Sequence, residues 1–221
     1  MLEGLSLNTF SITARCKKTG MLGVAVSTAR PAVGGLAPYV KFGVGAISTQ
    51  AMLNAYYGID GLTYLAEGMS PEEALEKLKA ADDNQEIRQV AMVNTAGQTA
   101  AFTGSQAVPW AGHYVGDQFV VAGNTLVGEE TVQAMVNSFE STESGYLPER
   151  LLAVLKAGQE AGGDKRGKQS AALYVVHDME YPLVDIRSDE HADPVTELHR
   201  IYEVCKTDLF PYIANMPRRH R

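Results

Sequence analysis

The residues of this chain that could perform chemistry do not fall into a standard metal or cofactor motif. Residues 162–168 (GGDKRGK) have the spacing of a phosphate-binding loop. However, Gln169 replaces the Ser or Thr that such a loop needs, and a β-rich run rather than a helix follows. The five histidines have no spacing typical of a metal site, and no Gly-x-Ser-x-Gly nucleophile turn is present. The sequence therefore predicts no cofactor and no metal.

One short segment carries side chains suited to lining a pocket. Trp110 could form an aromatic wall, and His113 adds an imidazole that titrates near neutral pH. Packing explains Trp110 equally well. His113 is therefore a candidate substrate-binding residue.

The composition favours one globular domain without a nucleic-acid or membrane partner. With 221 residues, 45% of them hydrophobic, the chain can bury a single sizeable core. Its net charge of −7 repels phosphate backbones, and the basic residues 218–221 are few enough to be a solvated end. No apolar run reaches the roughly 20 residues that a membrane helix needs.

The ends of the chain and its cysteines indicate a cytoplasmic protein. Residues 1–8 lack the basic and apolar regions of a secretory signal. Cys16 and Cys205 lie far apart and form no CxxC pair, as expected of two reduced thiols. We expect an N-terminal extension over residues 1–8, one domain over 9–210 and a basic tail over 211–221.

The hydrophobic pattern predicts paired strands and paired helices in alternation. Strands are predicted at residues 9–15, 21–28, 42–49, 88–94, 98–103, 111–115, 119–124, 170–177 and 183–188. Helices are predicted at residues 59–67, 71–81, 129–140 and 148–161, and a last helix is capped by Asp193. Ser70 and Glu73 have the spacing of a capping box, and Gly43 and Gly45 indicate close backbone approach within a strand.

This order of elements restricts the architecture. Hairpins make the pairing mainly antiparallel, and helices that come in groups must cover whole sheet faces. Two stacked antiparallel sheets with a helix layer outside each satisfy the order, whereas a doubly wound nucleotide-binding fold does not. We therefore expect an α+β fold, a four-layer αββα sandwich.

Several segments, in the correct order, resemble a single known family. They are residues 9–15 (TFSITAR), 19–27 (TGMLGVAVS), 44–51 (VGAISTQA), 101–104 (AFTG), 109–113 (PWAGH), 122–124 (AGN), 163–172 (GDKRGKQSAA), 185–187 (DIR) and 191–194 (HADP). The likeness is to DUF1028, a prokaryotic family of unknown function in the N-terminal-nucleophile (Ntn) hydrolase superfamily. It implies the αββα sandwich, and it implies amide-bond cleavage as the superfamily's usual chemistry, but no substrate.

The resemblance also implies that Thr9 is the nucleophile. In this superfamily the first residue attacks through its side chain while its own α-amino group accepts the proton, a role suited to an amine pKa of about 7.7 to 8.0. Residues 1–8 precede Thr9, so a free amine requires cleavage of the Asn8–Thr9 bond. Attack of the threonine hydroxyl on the preceding carbonyl is one route. The alternative interpretation is an ordinary β-branched strand residue.

An amide hydrolase also needs donors that stabilise the oxyanion, and two amide side chains are candidates. Asn124, at the end of a strand, is the first choice and Gln50 the second, although each could instead cap a strand end. Arg30, Asp164 and Arg166 lie in loops beside strands, where they could hold Thr9 or clamp a substrate carboxylate. A structural ion pair between Arg166 and a nearby aspartate is the alternative.

Two functions follow from this interpretation. The first is an amidohydrolase acting on a small amide or short peptide-like substrate, with Thr9 as its nucleophile. The second is a non-catalytic binding or assembly module that shares the fold. The sequence leaves open whether the protein forms a homo-oligomer. Its last predicted helix has an apolar stripe that either a partner or the core could cover, made of Leu198, Ile201, Tyr202 and Cys205.

Overall fold

A computed structural model describes residues 9–142 and 144–219. The expected N-terminal extension, residues 1–8, and the final two residues of the expected basic tail lie outside this range. Within it, two β-sheets stack face to face, and helices cover the outer face of each sheet. The predicted four-layer αββα sandwich is confirmed.

The larger sheet has six strands, all paired antiparallel. They are β1 (Thr9–Arg15), β2 (Leu22–Thr28), β7 (Ala111–Gly116), β8 (Phe119–Asn124), β9 (Ser170–Val176) and β10 (Val184–Ser188). Their spatial order is β10-β9-β2-β1-β8-β7, so that β1 lies at the centre between β2 and β8.

The smaller sheet has four antiparallel strands. They are β3 (Pro38–Lys41), β4 (Gly45–Ala51), β5 (Arg88–Asn94) and β6 (Thr99–Thr103), in that spatial order. The inner faces of the two sheets meet through small and branched apolar side chains over part of their area, among them Val24, Ala46, Val93, Val120 and Ala122. The remainder of this interface is polar, as described below.

Helices form the two outer layers. The larger sheet is covered by α3 (Glu129–Ser141), α4 (Leu147–Glu160) and α5 (Pro194–Asp208), and the short α6 (Phe210–Ala214) packs on α5. The smaller sheet is covered by α1 (Tyr56–Ala66) and α2 (Pro71–Ala80). None of the described helices is both long enough and apolar enough to cross a membrane.

The expected helix caps are present. The side chain of Ser70 accepts a hydrogen bond from the backbone N–H of Glu73, and the Glu73 carboxylate accepts one from the N–H of Ser70, which completes the capping box of α2. Asp193 accepts from the N–H of Thr196 at the start of α5.

The predicted strand at residues 42–49 was wrong in its bounds. The strand there, β4, begins only at Gly45, and residues 42–44 form a turn in which Gly43 has a φ of +71°. This turn joins β4 to the short strand β3, which was not predicted. Only a residue without a side chain adopts that conformation easily, so Gly43 serves the turn rather than close packing. Gly45 does show close approach, since a Cβ there would lie 2.6 Å from the carbonyl oxygen of Val93.

The apolar stripe on α5 packs into the core of its own chain. Leu198 and Tyr202 are almost fully buried, Cys205 is 9% exposed, and Ile201 packs against the same cluster. Packing in the core of its own chain therefore accounts for the stripe, which is one of the two interpretations that the sequence allowed.

Candidate active site

Strand β1 presents hydroxyl side chains where a sandwich normally has apolar ones. Phe10 and Ile12 point towards the helices, so Thr9, Ser11 and Thr13 point towards the second sheet. All three hydroxyl residues are fully buried. Burying polar groups costs free energy unless they form hydrogen bonds. The inner face of β1 is therefore a candidate functional surface.

Thr9 lies at one end of the sandwich, where several strands of both sheets begin or end. On β2 it pairs with Thr28. On the other side Phe10 pairs with Gly123, so Asn124 of β8 is the neighbour of Thr9 in this register. From the opposite sheet, Gln50 near the end of β4 donates through Nε2 to the carbonyl oxygen of Thr9 at 3.4 Å.

Gln89, near the start of β5, is the central residue of this polar cluster. Its Nε2 lies 3.0 and 2.9 Å from the carbonyl oxygens of Gly112 and Gly123 and 2.8 Å from Thr103 Oγ1, so three acceptors share its two hydrogens. Gln89 is fully buried. A carbonyl oxygen can only accept, so these contacts fix which end of the Gln89 amide faces β7 and β8.

The other end of the Gln89 amide gathers the two predicted amide residues. Its Oε1 accepts from Gln50 Nε2 at 2.7 Å and from Asn124 Nδ2 at 3.1 Å. Both Gln50 and Asn124 must therefore present their NH₂ groups to Gln89. The structure thus brings Thr9, Gln50 and Asn124 together around Gln89.

The two amide oxygens have different surroundings. Gln50 Oε1 accepts from Ser11 Oγ at 2.7 Å, and Ser48 Oγ lies 3.3 Å from the same oxygen. Asn124 Oδ1 is buried and has no hydrogen-bond partner within the described residues. The cluster is therefore complete around Gln50 and has an open acceptor at Asn124.

His113 connects to the same cluster from the solvent side. Its Nδ1 lies 2.8 Å from Thr103 Oγ1, which in turn accepts from Gln89. The imidazole is exposed at the edge strand β7, yet partial desolvation lowers the pKa of His113 below its ordinary value. The ring is therefore predominantly neutral at neutral pH.

Asp164 and Arg166 form an ion pair that fastens a loop against the end of β2. The Asp164 side chain is only 1% exposed, and its Oδ2 lies 3.0 Å from Arg166 Nη2. It also accepts from the backbone N–H groups of Ala29 and Arg166. This arrangement is the structural ion pair that the sequence analysis gave as the alternative role of Arg166. Arg30 follows Ala29 at the same end of the molecule.

A cavity of about 220 Å³ adjoins this loop. It is lined by Phe10, Gln159, Gly162, Gly163, Asp164, Gly167 and Lys168. Because Phe10 points towards the helices, the cavity lies on the helix side of the larger sheet, whereas Thr9 faces the second sheet.

Four residues of the cluster were not predicted: Ser11, Ser48, Gln89 and Thr103. One signal in the sequence could have indicated Ser11. In β1 the residues at alternate positions are Thr9, Ser11 and Thr13, and a central strand with hydroxyl groups along a whole face is unusual for a sandwich core. The partners on the opposite sheet could not be found in this way, since their pairing depends on how the sheets stack.

Comparison with known proteins places the chain in a family. Residues 9–198 match the family of unknown function DUF1028. The chain belongs to the DUF1028 family. A crystal structure of a DUF1028 protein from Silicibacter pomeroyi is similar to it, with 31% sequence identity and a TM-score of 0.86 over 94% of this chain and 93% of that one. A search of curated proteins finds no match.

A second solved structure is much less similar. It is Anbu, the ancestral beta-subunit, from Yersinia bercovieri, with 10% identity and a TM-score of 0.42 over 96% of this chain and 99% of that one. Similarity at this level supports no inference about function. Within the DUF1028 match itself, the first residue is Thr9, at the start of β1 and inside the polar cluster.

Proposed function

We propose that this DUF1028 protein is an amidohydrolase that cleaves a small amide or short peptide-like bond, with Thr9 as its nucleophile. The observation that carries the proposal is the position of Thr9, buried at the start of the central strand among the amide side chains of Gln50, Gln89 and Asn124. The beginning of the family match at Thr9 supports it.

The chemistry requires cleavage of the Asn8–Thr9 bond. A threonine hydroxyl is a weak nucleophile at neutral pH and needs a base within reach. After cleavage, the α-amino group of Thr9 provides that base, with a reference pKa of about 7.7 to 8.0. The proton then passes from Oγ1 to the amine as Oγ1 attacks the substrate carbonyl, and from the amine to the leaving nitrogen as the C–N bond breaks. A water molecule then hydrolyses the ester on Oγ1, which releases the carboxylic acid and restores Thr9.

The hydrogen bonds favour Asn124 over Gln50 as the oxyanion donor. Gln50 Nε2 uses both of its hydrogens, one for Gln89 and one for the carbonyl oxygen of Thr9. Asn124 Nδ2 makes one hydrogen bond among the described residues, to Gln89, and carries a second hydrogen. We assign the oxyanion contact to Asn124 and a positioning role to Gln50.

The candidate substrate-binding residues divide into two groups. His113 is exposed and joined to the cluster through Thr103, so we retain it as a residue that meets the substrate. The Asp164 carboxylate is held by Arg166 and by the backbone of Ala29, so its role is to fix the loop beside the site. Arg30 lies next to Ala29 and remains a candidate for a substrate carboxylate.

The first test asks whether the chain cleaves itself. Purified full-length protein and its Thr9→Ser and Thr9→Ala variants are incubated and analysed by intact mass and N-terminal sequencing. We expect a product beginning at residue 9 from the wild type and from Thr9→Ser, which keeps a hydroxyl. Thr9→Ala should stay intact. Wild type that remains full-length after long incubation would exclude self-cleavage.

The second test measures catalysis directly. A chain released from a cleavable fusion so that it starts at Thr9 is compared with its Thr9→Ala form on a library of small amides. Loss of the nucleophile should lower the hydrolysis rate by at least about 100-fold. Equal rates for the two chains would rule out the proposal that Thr9 is the nucleophile of an amidohydrolase.

One observation favours the second candidate function, a non-catalytic binding or assembly module. Thr9 is fully buried, and the Gln50 amide has partners for both its hydrogens and its oxygen. Such a network is sufficient to hold the two sheets in register without any catalysis, as in a non-catalytic binding or assembly module. Equal behaviour of the chain that starts at Thr9 and its Thr9→Ala variant in the amide library would support that function.

A further inference from the structure

In the polar cluster, the side-chain oxygen of Asn124 is a buried acceptor that needs a hydrogen-bond donor. Asn124 is fully buried, and its Oδ1 has no hydrogen-bond partner within residues 9–142 and 144–219. A buried acceptor without a donor destabilises the folded state. Such an atom is therefore a candidate binding point for a donor that the described residues do not supply.

The orientation of this oxygen is fixed by a chain of hydrogen bonds. The carbonyl oxygens of Gly112 and Gly123 accept from Gln89 Nε2, so Gln89 Oε1 must face the other way. That oxygen needs a donor from Asn124, which supplies Nδ2 at 3.1 Å. Rotating the Asn124 amide would bring two acceptors together. Asn124 Oδ1 therefore stays on the side away from Gln89.

The strand register places Asn124 beside Thr9. Phe10 of β1 pairs with Gly123 of β8, so the next positions, Thr9 and Asn124, are neighbours across the two strands. Both side chains point to the inner face, because side chains alternate along a strand and the adjacent Phe10 points to the helix side. The same Gln50 amide group that bonds Gln89 also reaches the carbonyl oxygen of Thr9.

We propose that Asn124 Oδ1 is the acceptor that holds the freed α-amino group of Thr9, and that Gln89 is the residue that positions it. The proposal rests on the proposed function, since it requires a chain that begins at Thr9. The amine donates one N–H to Asn124 Oδ1, which directs its lone pair towards Oγ1. The second hydrogen of Asn124 Nδ2 remains for the oxyanion. A buried water on Oδ1 is the competing occupant.

The experiment measures the amine itself rather than turnover. A chain starting at Thr9 is labelled with an amine-specific reagent over a range of pH, and the labelling of the N-terminal peptide is followed by mass spectrometry to obtain the amine pKa. An acceptor on the amine stabilises its protonated form. Asn124→Ala should therefore lower this pKa by about one unit.

Two further variants make the result specific. Ionised Asn124→Asp loses the donor to Gln89, but it keeps an acceptor of the same size and adds negative charge beside the amine. It should therefore raise the amine pKa, in the opposite direction to Asn124→Ala. Thr103→Val is the matched control, because it removes a hydrogen bond from the far side of Gln89 while both carbonyl acceptors remain. Its amine pKa should equal that of the wild type.

The outcomes separate this proposal from the enzymatic one. An amine pKa that falls in Asn124→Ala and rises in Asn124→Asp supports the contact, even if no amide is hydrolysed. An amine pKa that is the same in wild type and in both Asn124 variants overturns the contact and favours a bound water, even if the chain is an active hydrolase. If Asn124→Ala does not fold, Asn124→Ser, whose hydroxyl is too short to span the same distance, is expected to give the same downward shift.

Discussion

At the scale of single residues, Gln89 determines how the polar cluster is organised. Each of its two amide ends has a distinct set of partners, and backbone carbonyls set the direction of the whole arrangement. Thr13 differs from its neighbours on β1, because its buried Oγ1 has no partner in the described part of the chain. The cluster therefore contains residues that stabilise the fold and residues that cost stability.

The first prediction compares these two kinds of residue. Gln89→Leu leaves two carbonyl oxygens and two amide donors without their partner, so we expect the free energy of unfolding to fall by about 3 kcal/mol or more. Thr13→Val has nearly the same shape and removes a hydroxyl without a described partner, so it should be neutral or stabilising. Urea unfolding of each variant gives both values. A Gln89→Leu variant as stable as the wild type would show that the cluster does not stabilise the fold.

At the scale of elements, an ion pair fixes the strand that carries Gln89. Arg88 begins β5, and its Nε lies 2.8 Å from Asp82 Oδ2, just beyond the end of α2. Arg88 also donates to the carbonyl oxygen of Met52, which follows β4. The pair therefore connects α2, β4 and β5 beside the candidate site.

The second prediction follows from the protonation of Asp82. Burial by itself would raise the pKa of this carboxyl group. Hydrogen bonds from Arg88, Asn84 and Asn54 outweigh burial and hold the pKa below its ordinary value of 3.8. Because the folded-state pKa is lowered, the stabilisation is present above the unfolded-state pKa and is lost as the pH falls through the folded-state value.

Replacing this carboxylate should reveal that dependence. Asp82→Asn is expected to lower the free energy of unfolding at pH 7 by about 3 kcal/mol, because Arg88 loses its partner. The difference from wild type should shrink as the pH drops below about 4. The exposed neighbour gives the control, Asp83→Asn, which should follow the wild-type curve. Denaturant unfolding at several pH values checks this, and a constant difference down to about pH 2 would contradict it.

At the scale of the whole molecule, two helix layers depend on one pair of sheets. Leu151 of α4 is fully buried against the larger sheet, and Leu78 of α2 is 5% exposed against the smaller one. The sheets share an interface that is apolar in one part and hydrogen-bonded in another. Loss of packing on either side should therefore weaken the whole sandwich.

The third prediction tests this coupling. Leu151→Ala and Leu78→Ala should each lower the free energy of unfolding by about 3 kcal/mol and leave a single transition. Fluorescence of the only tryptophan, Trp110, and far-UV circular dichroism should give coincident curves. Leu36→Ala, at an exposed position, is the control and should change stability by less than about 0.5 kcal/mol. Curves that separate between the two probes would show that the layers unfold independently.

Local signals in the sequence predicted much of the fold because they act over a few residues. The capping box at Ser70, the cap at Asp193 and the β-rich run at residues 9–15 each depend on neighbours along the chain. The error at residues 42–49 has the same origin. Gly43 and Gly45 look alike in sequence, yet one makes a turn and the other meets the carbonyl oxygen of Val93, which comes from a distant strand.

Local patterns and the family resemblance were enough to predict the order of strands and helices, the αββα arrangement, and Thr9 with Asn124 and Gln50 as candidate site residues. The folded chain was needed to see that these three residues meet around Gln89, that Gln50 donates both amide hydrogens, and that Asn124 Oδ1 has no partner among the described residues. A hydrogen bond between sheets depends on their stacking and register, which join residues far apart in the chain and leave no periodic pattern in it.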